Sequence, residues 1–174
     1  MIILGIVAAA LAIPAALALA LGARLPVQHR ARASAHYDRP PDEVWRALTD
    51  FSDHPNWRRG LKAVERVPEP GGERVKEISG KDEAMTFEVT ENAAERRMVR
   101  RITDKNLPFG GSWTFEVTPD AGGSRLTITE DGEVYNVVFR FVSKYVMGHH
   151  ATIKAFLQDL GKKFGADAKV ELEK

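Results

Sequence analysis

After Gly60 the sequence falls into short segments separated by turn residues, and this punctuation constrains the fold more than any other feature. Residues 61–67 end at Pro68-Glu69-Pro70-Gly71-Gly72, residues 74–79 end at Gly80, and residues 85–90 end at Asn92. Residues 96–103 precede a loop at 104–111, while 113–118 and 125–134 flank Pro119-Asp120-Ala121-Gly122-Gly123 as two arms of a hairpin. Short runs bounded by Gly, Pro and Asn read as strands. With an opening strand at 29–38 they make about seven, in a mostly meandering antiparallel sheet.

Helical signals frame this sheet. Arg39-Pro40-Pro41-Asp42-Glu43 starts a short helix, with proline in its first turn and acids at the positive end of its dipole. Val44, Trp45, Leu48 and Phe51 give it one apolar face, with Trp45 most simply in the core, and Asp53-His54-Pro55-Asn56 breaks it. The last element is expected to be one long helix, capped by Asn136 and ended by Gly165. Its apolar residues are Val138, Val142, Val146, Ile153, Phe156, Leu157, Leu160 and Phe164. Residues 166–174 form a charged tail that is expected to fray.

Residues 1–23 contain no Asp, Glu, Lys, Arg or His, and as a helix they reach about the roughly 30 Å thickness of a hydrocarbon core. The expectation is a transmembrane anchor at 1–23, interrupted but not excluded by Pro14, followed by a short linker at 24–28. Ala18-Leu19-Ala20 offers the alternative of a cleaved signal peptide and export. Arg24, Arg30 and Arg32 follow the run and none precedes it, which favours a single-pass anchor with the C-terminal domain in the cytoplasm. The membrane is then an expected partner, with any pocket close to its surface.

Composition narrows the chemistry. At 174 residues the chain holds one domain beyond the anchor, here residues 29–165. Lys+Arg 25 against Asp+Glu 24 gives no electrostatic reason to expect a nucleic acid. The absence of cysteine excludes disulfides, thiolate metal sites and cysteine nucleophiles. Phosphate-binding glycine loops, dinucleotide fingerprints, H-E-x-x-H and G-x-S-x-G motifs are all missing, so no cofactor is expected. His149-His150 is no metal pair, because adjacent helical residues diverge by about 100°.

Pro41-Asp42-Glu43-Val44-Trp45, then Asp50-Phe51 and Pro55-Asn56-Trp57, with Met85-Thr86-Phe87-Glu88-Val89 as a central strand, resembles the START-like, polyketide cyclase-like (SRPBCC) superfamily. The resemblance covers roughly residues 29–165. It implies an α+β helix-grip fold, a curved antiparallel sheet wrapped on a long C-terminal helix with an elongated cavity between them. It does not imply one activity, because the superfamily includes lipid carriers, hormone receptors and cyclases.

Strand alternation sorts the faces independently of that resemblance. Trp113, Phe115 and Val117 form one apolar row, Met85, Phe87 and Val89 another, and Leu126 and Ile128 a third. They either wall a cavity or fill the core. Glu130 follows Leu126 and Ile128 inward if the strand is regular, whereas a bulge at Asp131-Gly132 would turn it to solvent. His149 falls in the helical row of Val142, Val146, Ile153 and Phe156, where it would meet a ligand, Glu130 or a backbone group. Arg100 shares a face with Met98 and Ile102 and either pairs with Glu130 or is solvated with its arginine neighbours. Residues 105–111, with Leu107, Phe109, Gly110 and Gly111, have the composition of a lid or of an ordinary packed loop.

The expected ligand-binding residues are Met85, Phe87, Arg100, Trp113, Phe115, Ile128, Glu130, Val146, His149 and Ile153. The leading expectation is a membrane-tethered module that binds or transfers a lipid or other hydrophobic small molecule without covalent chemistry. One alternative is a cyclase- or hydrolase-like enzyme with Glu130 and His149 as acid and base. Another is a membrane scaffold for an unknown protein partner, marked by a filled interior and an exposed apolar patch.

Overall fold

The strand segments between residues 61 and 134 pair in the order in which they occur. The computed structural model describes residues 16–69, 72–80 and 83–173. Its strands are β1 (Gln28–Tyr37), β2 (Ala63–Glu69), β3 (Gly72–Ile78), β4 (Ala84–Asn92), β5 (Arg97–Ile102), β6 (Phe109–Asp120), β7 (Gly123–Val134) and β8 (Val170–Glu173). They form one antiparallel 8-stranded sheet in the order β2-β3-β4-β5-β6-β7-β1-β8. The β6–β7 hairpin closes with Asp120 opposite Gly123. Ala121 and Gly122 both take positive φ there, 36° and 86°, the handedness that matches strand twist in a two-residue turn.

The eighth strand is a departure from the expected seven. The tail does not fray: β8 runs antiparallel to β1, with Arg32 opposite Glu173 and Ala35 opposite Val170. Its charges explain the docking, since Arg32 meets Glu173 at 3.1 Å and Arg125 meets Glu171 at 2.7 Å.

The expected early helix is α1 (Pro41–Thr49), followed by a 3-10 turn (Phe51–Asp53) and the single-turn α2 (His54–Trp57). Val44, Ala47 and Leu48 are the buried face of α1, with Trp45 half-buried beside the core. The C-terminal helix is not continuous. It consists of α3 (Val137–Val142), a π turn (Ser143–Met147) and α4 (Ala151–Lys163). Asn136 does cap α3, accepting from the Phe139 amide at 2.9 Å. The break falls at Gly148, whose φ of 77° and ψ of 138° no side-chain-bearing residue adopts readily. Only α4 carries the buried stripe, Ile153, Phe156, Leu157 and Leu160, while Val138 and Val146 are exposed. A Cβ at Gly148 would touch nothing within 4 Å, so Gly148→Ala isolates backbone strain. It is expected to lower unfolding free energy by about 1–3 kcal/mol, read by urea denaturation.

The core lies between the sheet and α4. Ala31, Ala33 and Ala35 line the inner face of β1 and are almost fully buried, small enough for the helix to approach closely. Tyr37, next in that row, donates its hydroxyl to the Leu157 carbonyl of α4 at 2.8 Å. Phe115, Leu126, Ile128, Ile153 and Leu157 complete the packing, each side chain contributing about 1.5–3 kcal/mol by burial.

The amino-terminal segment also differs from expectation. Residues 16–24 are helical. They dock on α3 so closely that a Cβ at Gly22 would lie 2.1 Å from the Val137 carbonyl oxygen. Among the described residues no helix is long and apolar enough to cross a membrane, which overturns the expected single-pass membrane localisation. The rest of the expected span, residues 1–15, lies outside the described residues.

Candidate functional site

The pairing register lines up one residue per strand across the inner face. Val89 is opposite Arg100, Arg100 opposite Trp113, Trp113 opposite Glu130, and Glu130 opposite Ala31. Strands about 4.8 Å apart put the Arg100 and Glu130 backbones roughly 10 Å from each other, with Trp113 on the strand between. Between this row and the helices lies a cavity of about 530 Å³, partly open to solvent. Met85, Phe87, Trp113 and Phe156 give it an aliphatic and aromatic wall. Trp113 meets Phe156 edge to face, with ring centres 6.1 Å apart.

One end of the cavity is cationic. Glu77 follows Val75 on the inner face of β3, and a single carboxylate oxygen, Oε1, accepts from both Arg58 Nη1 and Arg100 Nη2. Burial alone would push the Glu77 carboxyl up, but the charges of Arg100 and Arg58 outweigh it and hold it down to about 2. Aromatic faces fix both guanidinium groups. Arg100 lies 4.3 Å from the Phe87 ring centre and 5.5 Å from that of Phe51, and Arg58 lies 5.1 Å from that of Phe156. Beside them Arg59 donates Nε to Asp159 Oδ1 at 2.6 Å, and its amide to Oδ2 at 3.0 Å. Arg100 is 4% exposed, and its Nε is buried with no hydrogen-bond partner among the described residues.

The other end carries two carboxylates, Glu130 and Glu133, and two imidazoles. The β1–β7 register is unbroken from Gln28 opposite Glu133 to Tyr37 opposite Ser124, so no bulge turns Glu130 away from the cavity. Gly132, opposite His29, leaves room for the imidazole: a Cβ there would lie 2.3 Å from His29 Cε1. His29 Nε2 consequently reaches Glu130 Oε1 at 3.3 Å, and Thr152 Oγ1 donates to Oε2 at 3.4 Å. His149 stacks on His29 with ring centres 3.9 Å apart and 18° between planes. Burial and the neighbouring His29 hold the His149 imidazole below its ordinary pKa. Stacking presents faces rather than converging lone pairs, and among the described residues no group of three or more His, Asp or Glu is arranged to hold a metal ion.

Of the residues singled out from the sequence, Met85, Phe87, Arg100, Trp113, Glu130 and His149 line the cavity. Phe115, Ile128 and Ile153 are fully buried in the core instead, each 0% exposed. Val146 is 70% exposed, because the π turn takes it out of the helical row. His149 lies in the turn after Gly148 rather than on a helix, and meets His29 instead of hydrogen-bonding Glu130. Arg100 does not pair with Glu130 either, since it turns towards Glu77 on the far side of Trp113. Phe109, Gly110 and Gly111 line the cavity as the paired start of β6, opposite Val134, Glu133 and Gly132, rather than as a free lid.

Sequence reasoning missed His29, Glu77, Arg58 and Phe156 as cavity residues. Two had a signal in strand alternation: His29 is two residues before Ala31, and Glu77 two after Val75. Arg58 follows α2 in irregular chain, where no period applies.

Comparison with known proteins agrees with this architecture. The chain is similar in fold to the Zhui aromatase/cyclase from Streptomyces sp. R1128, at 15% identity over 78% of this chain and 93% of that one, with a TM-score of 0.62. Norcoclaurine synthase from Thalictrum flavum superposes with a TM-score of 0.61 at 13% identity, covering 79% and 87% of the two chains. A START superfamily protein from Mycobacterium smegmatis gives 0.60 at 13% identity, covering 78% and 96%. No curated protein matches in sequence. The profile of a family described as polyketide cyclase / dehydrase and lipid transport matches residues 28–165, from the first residue of β1 to the glycine that ends α4. The chain therefore belongs to the polyketide cyclase / dehydrase and lipid transport family.

Proposed function

We propose that the protein binds a lipid or another hydrophobic small molecule, without covalent chemistry, in the cavity between its sheet and α4. The observation that carries this reading is the cavity of about 530 Å³ with Met85, Phe87, Trp113 and Phe156 on its wall. Apolar surface removed from water there contributes about 25 cal/mol per Å² before ordering costs. Native mass spectrometry of the full chain purified from cells, followed by solvent extraction, tests it. A co-purified apolar molecule is the expected result, and Trp113→Ala is expected to weaken its rebinding about tenfold or more. A ligand-free protein that also binds nothing from a panel of lipids would sink the proposal.

A second reading, acid–base chemistry of the cyclase type, is favoured by one observation. His29 and Glu130 meet at 3.3 Å on the cavity wall, an imidazole oriented by a carboxylate. Here His29, not His149, is the partner of Glu130. Turnover of a bound ligand that disappears in Glu130→Gln while binding persists would support this reading over simple carriage. A scaffold with a vestigial cavity requires a filled interior, and the open volume argues against it.

A further inference from the structure

The charged residues of the cavity are segregated. At one end Arg58, Arg59 and Arg100 stand against Glu77 and Asp159, an excess of one positive charge by count of these lining residues. At the other stand Glu130 and Glu133, with His29 and His149. Arg59 is matched by Asp159 through paired hydrogen bonds, which leaves one carboxylate, Glu77, to serve both Arg58 and Arg100. It serves them through a single oxygen. Among the described residues the Nε of Arg100 has no acceptor although it is buried, and a buried donor left unpaired is costly. The Phe87 and Phe51 rings hold this guanidinium in place, so it cannot readily swing out to water.

We propose that the ligand is an amphiphile with an anionic head group, a carboxylate or phosphate, which enters the Arg58–Arg100 end and accepts from Arg100. The aromatic wall holds its apolar body, and the carboxylates at the opposite end repel the head, so the ligand lies in one direction only. This rests on the binding reading above and adds the head-group class and the orientation.

Titration calorimetry of the full chain with dodecanoate, dodecyl phosphate, dodecanol and dodecylamine tests it. At least one of the two anions is expected to bind about tenfold or more tighter than dodecanol, the worth of one hydrogen bond to a charged group, and the amine more weakly than either. Which anion leads distinguishes a carboxylate head from a phosphate. Arg58→Gln removes the excess charge while leaving the Glu77–Arg100 pair. It is expected to weaken the preferred anion about tenfold more than dodecanol, with an unchanged circular dichroism spectrum confirming the fold. Equal affinity for dodecanol and both anions, or tighter binding of the amine, overturns the head-group assignment and leaves the binding reading intact. Failure of all four to bind overturns both.

Discussion

Replacing Glu77 with Gln is expected to destabilise the fold by about 3–5 kcal/mol, the usual penalty for breaking a buried ion pair. The size follows from what is left behind. Arg58 is 20% exposed at its side chain and can turn to water, but Arg100 is 4% exposed and held between two phenylalanine rings. Without its carboxylate, Arg100 is an uncompensated buried cation. A double variant, Glu77→Leu with Arg100→Met, removes both charges and is expected to recover most of the loss, since well-packed apolar replacements of a buried pair are often neutral or better. Urea unfolding of Glu77→Leu, Arg100→Met and the double variant reads the coupling. If Glu77→Gln costs less than about 1 kcal/mol, the pair is no more than a surface ion pair and the account of the cationic end is wrong.

The same cluster shows what one sequence reveals. Turn residues marked the sheet well, because Gly122 and Gly123 at the β6–β7 turn and Gly80 after β3 punctuate strands whatever lies above them. Alternation left Glu130 inward in a regular strand and outward past a bulge, and the unbroken register decides for the first. Its partner was not legible. The reach of His29 to Glu130 depends on a glycine on the neighbouring strand, 103 positions away, and strand register is fixed only by folding (29 to 132). The helix break was hidden for a different reason. Apolar residues at Val138, Val142 and Val146 keep a helical spacing, but spacing alone does not say whether a face is covered, and here Val146 is bare. The single glycine at 148 carried the signal, through a backbone conformation that composition does not display. The charged tail read as loose because its acids lack local partners, and these are supplied by Arg32 and Arg125 of other strands.

Acid is expected to destabilise this protein over two overlapping pH windows, and the groups chiefly responsible are His54 and Glu77. His54 is fully buried, with Nε2 donating to the Leu48 carbonyl at 3.1 Å. Burial, reinforced by the charges of Arg58 and Arg100, holds its pKa down to about 3 against an ordinary 6.5. Below pH 6.5 the unfolded chain therefore binds a proton that the folded chain refuses, and stability falls as pH drops from 6.5 towards 3. The slope from this one group is about 1.4 kcal/mol per pH unit, on the order of 3 kcal/mol by pH 4.5. Glu77, at about 2 when folded against 4.5, adds the same sign of effect from pH 4.5 down to 2. His149, lowered by burial, acts with them, whereas His36, raised by its hydrogen bonds to Asp120 and Asp38 at the surface, acts weakly against them. Urea midpoints measured from pH 7.5 to 4.5 should follow this fall, and His54→Gln should flatten it whatever that substitution does to absolute stability. An unchanged slope in His54→Gln would move the acid sensitivity elsewhere and remove the buried neutral histidine from the account.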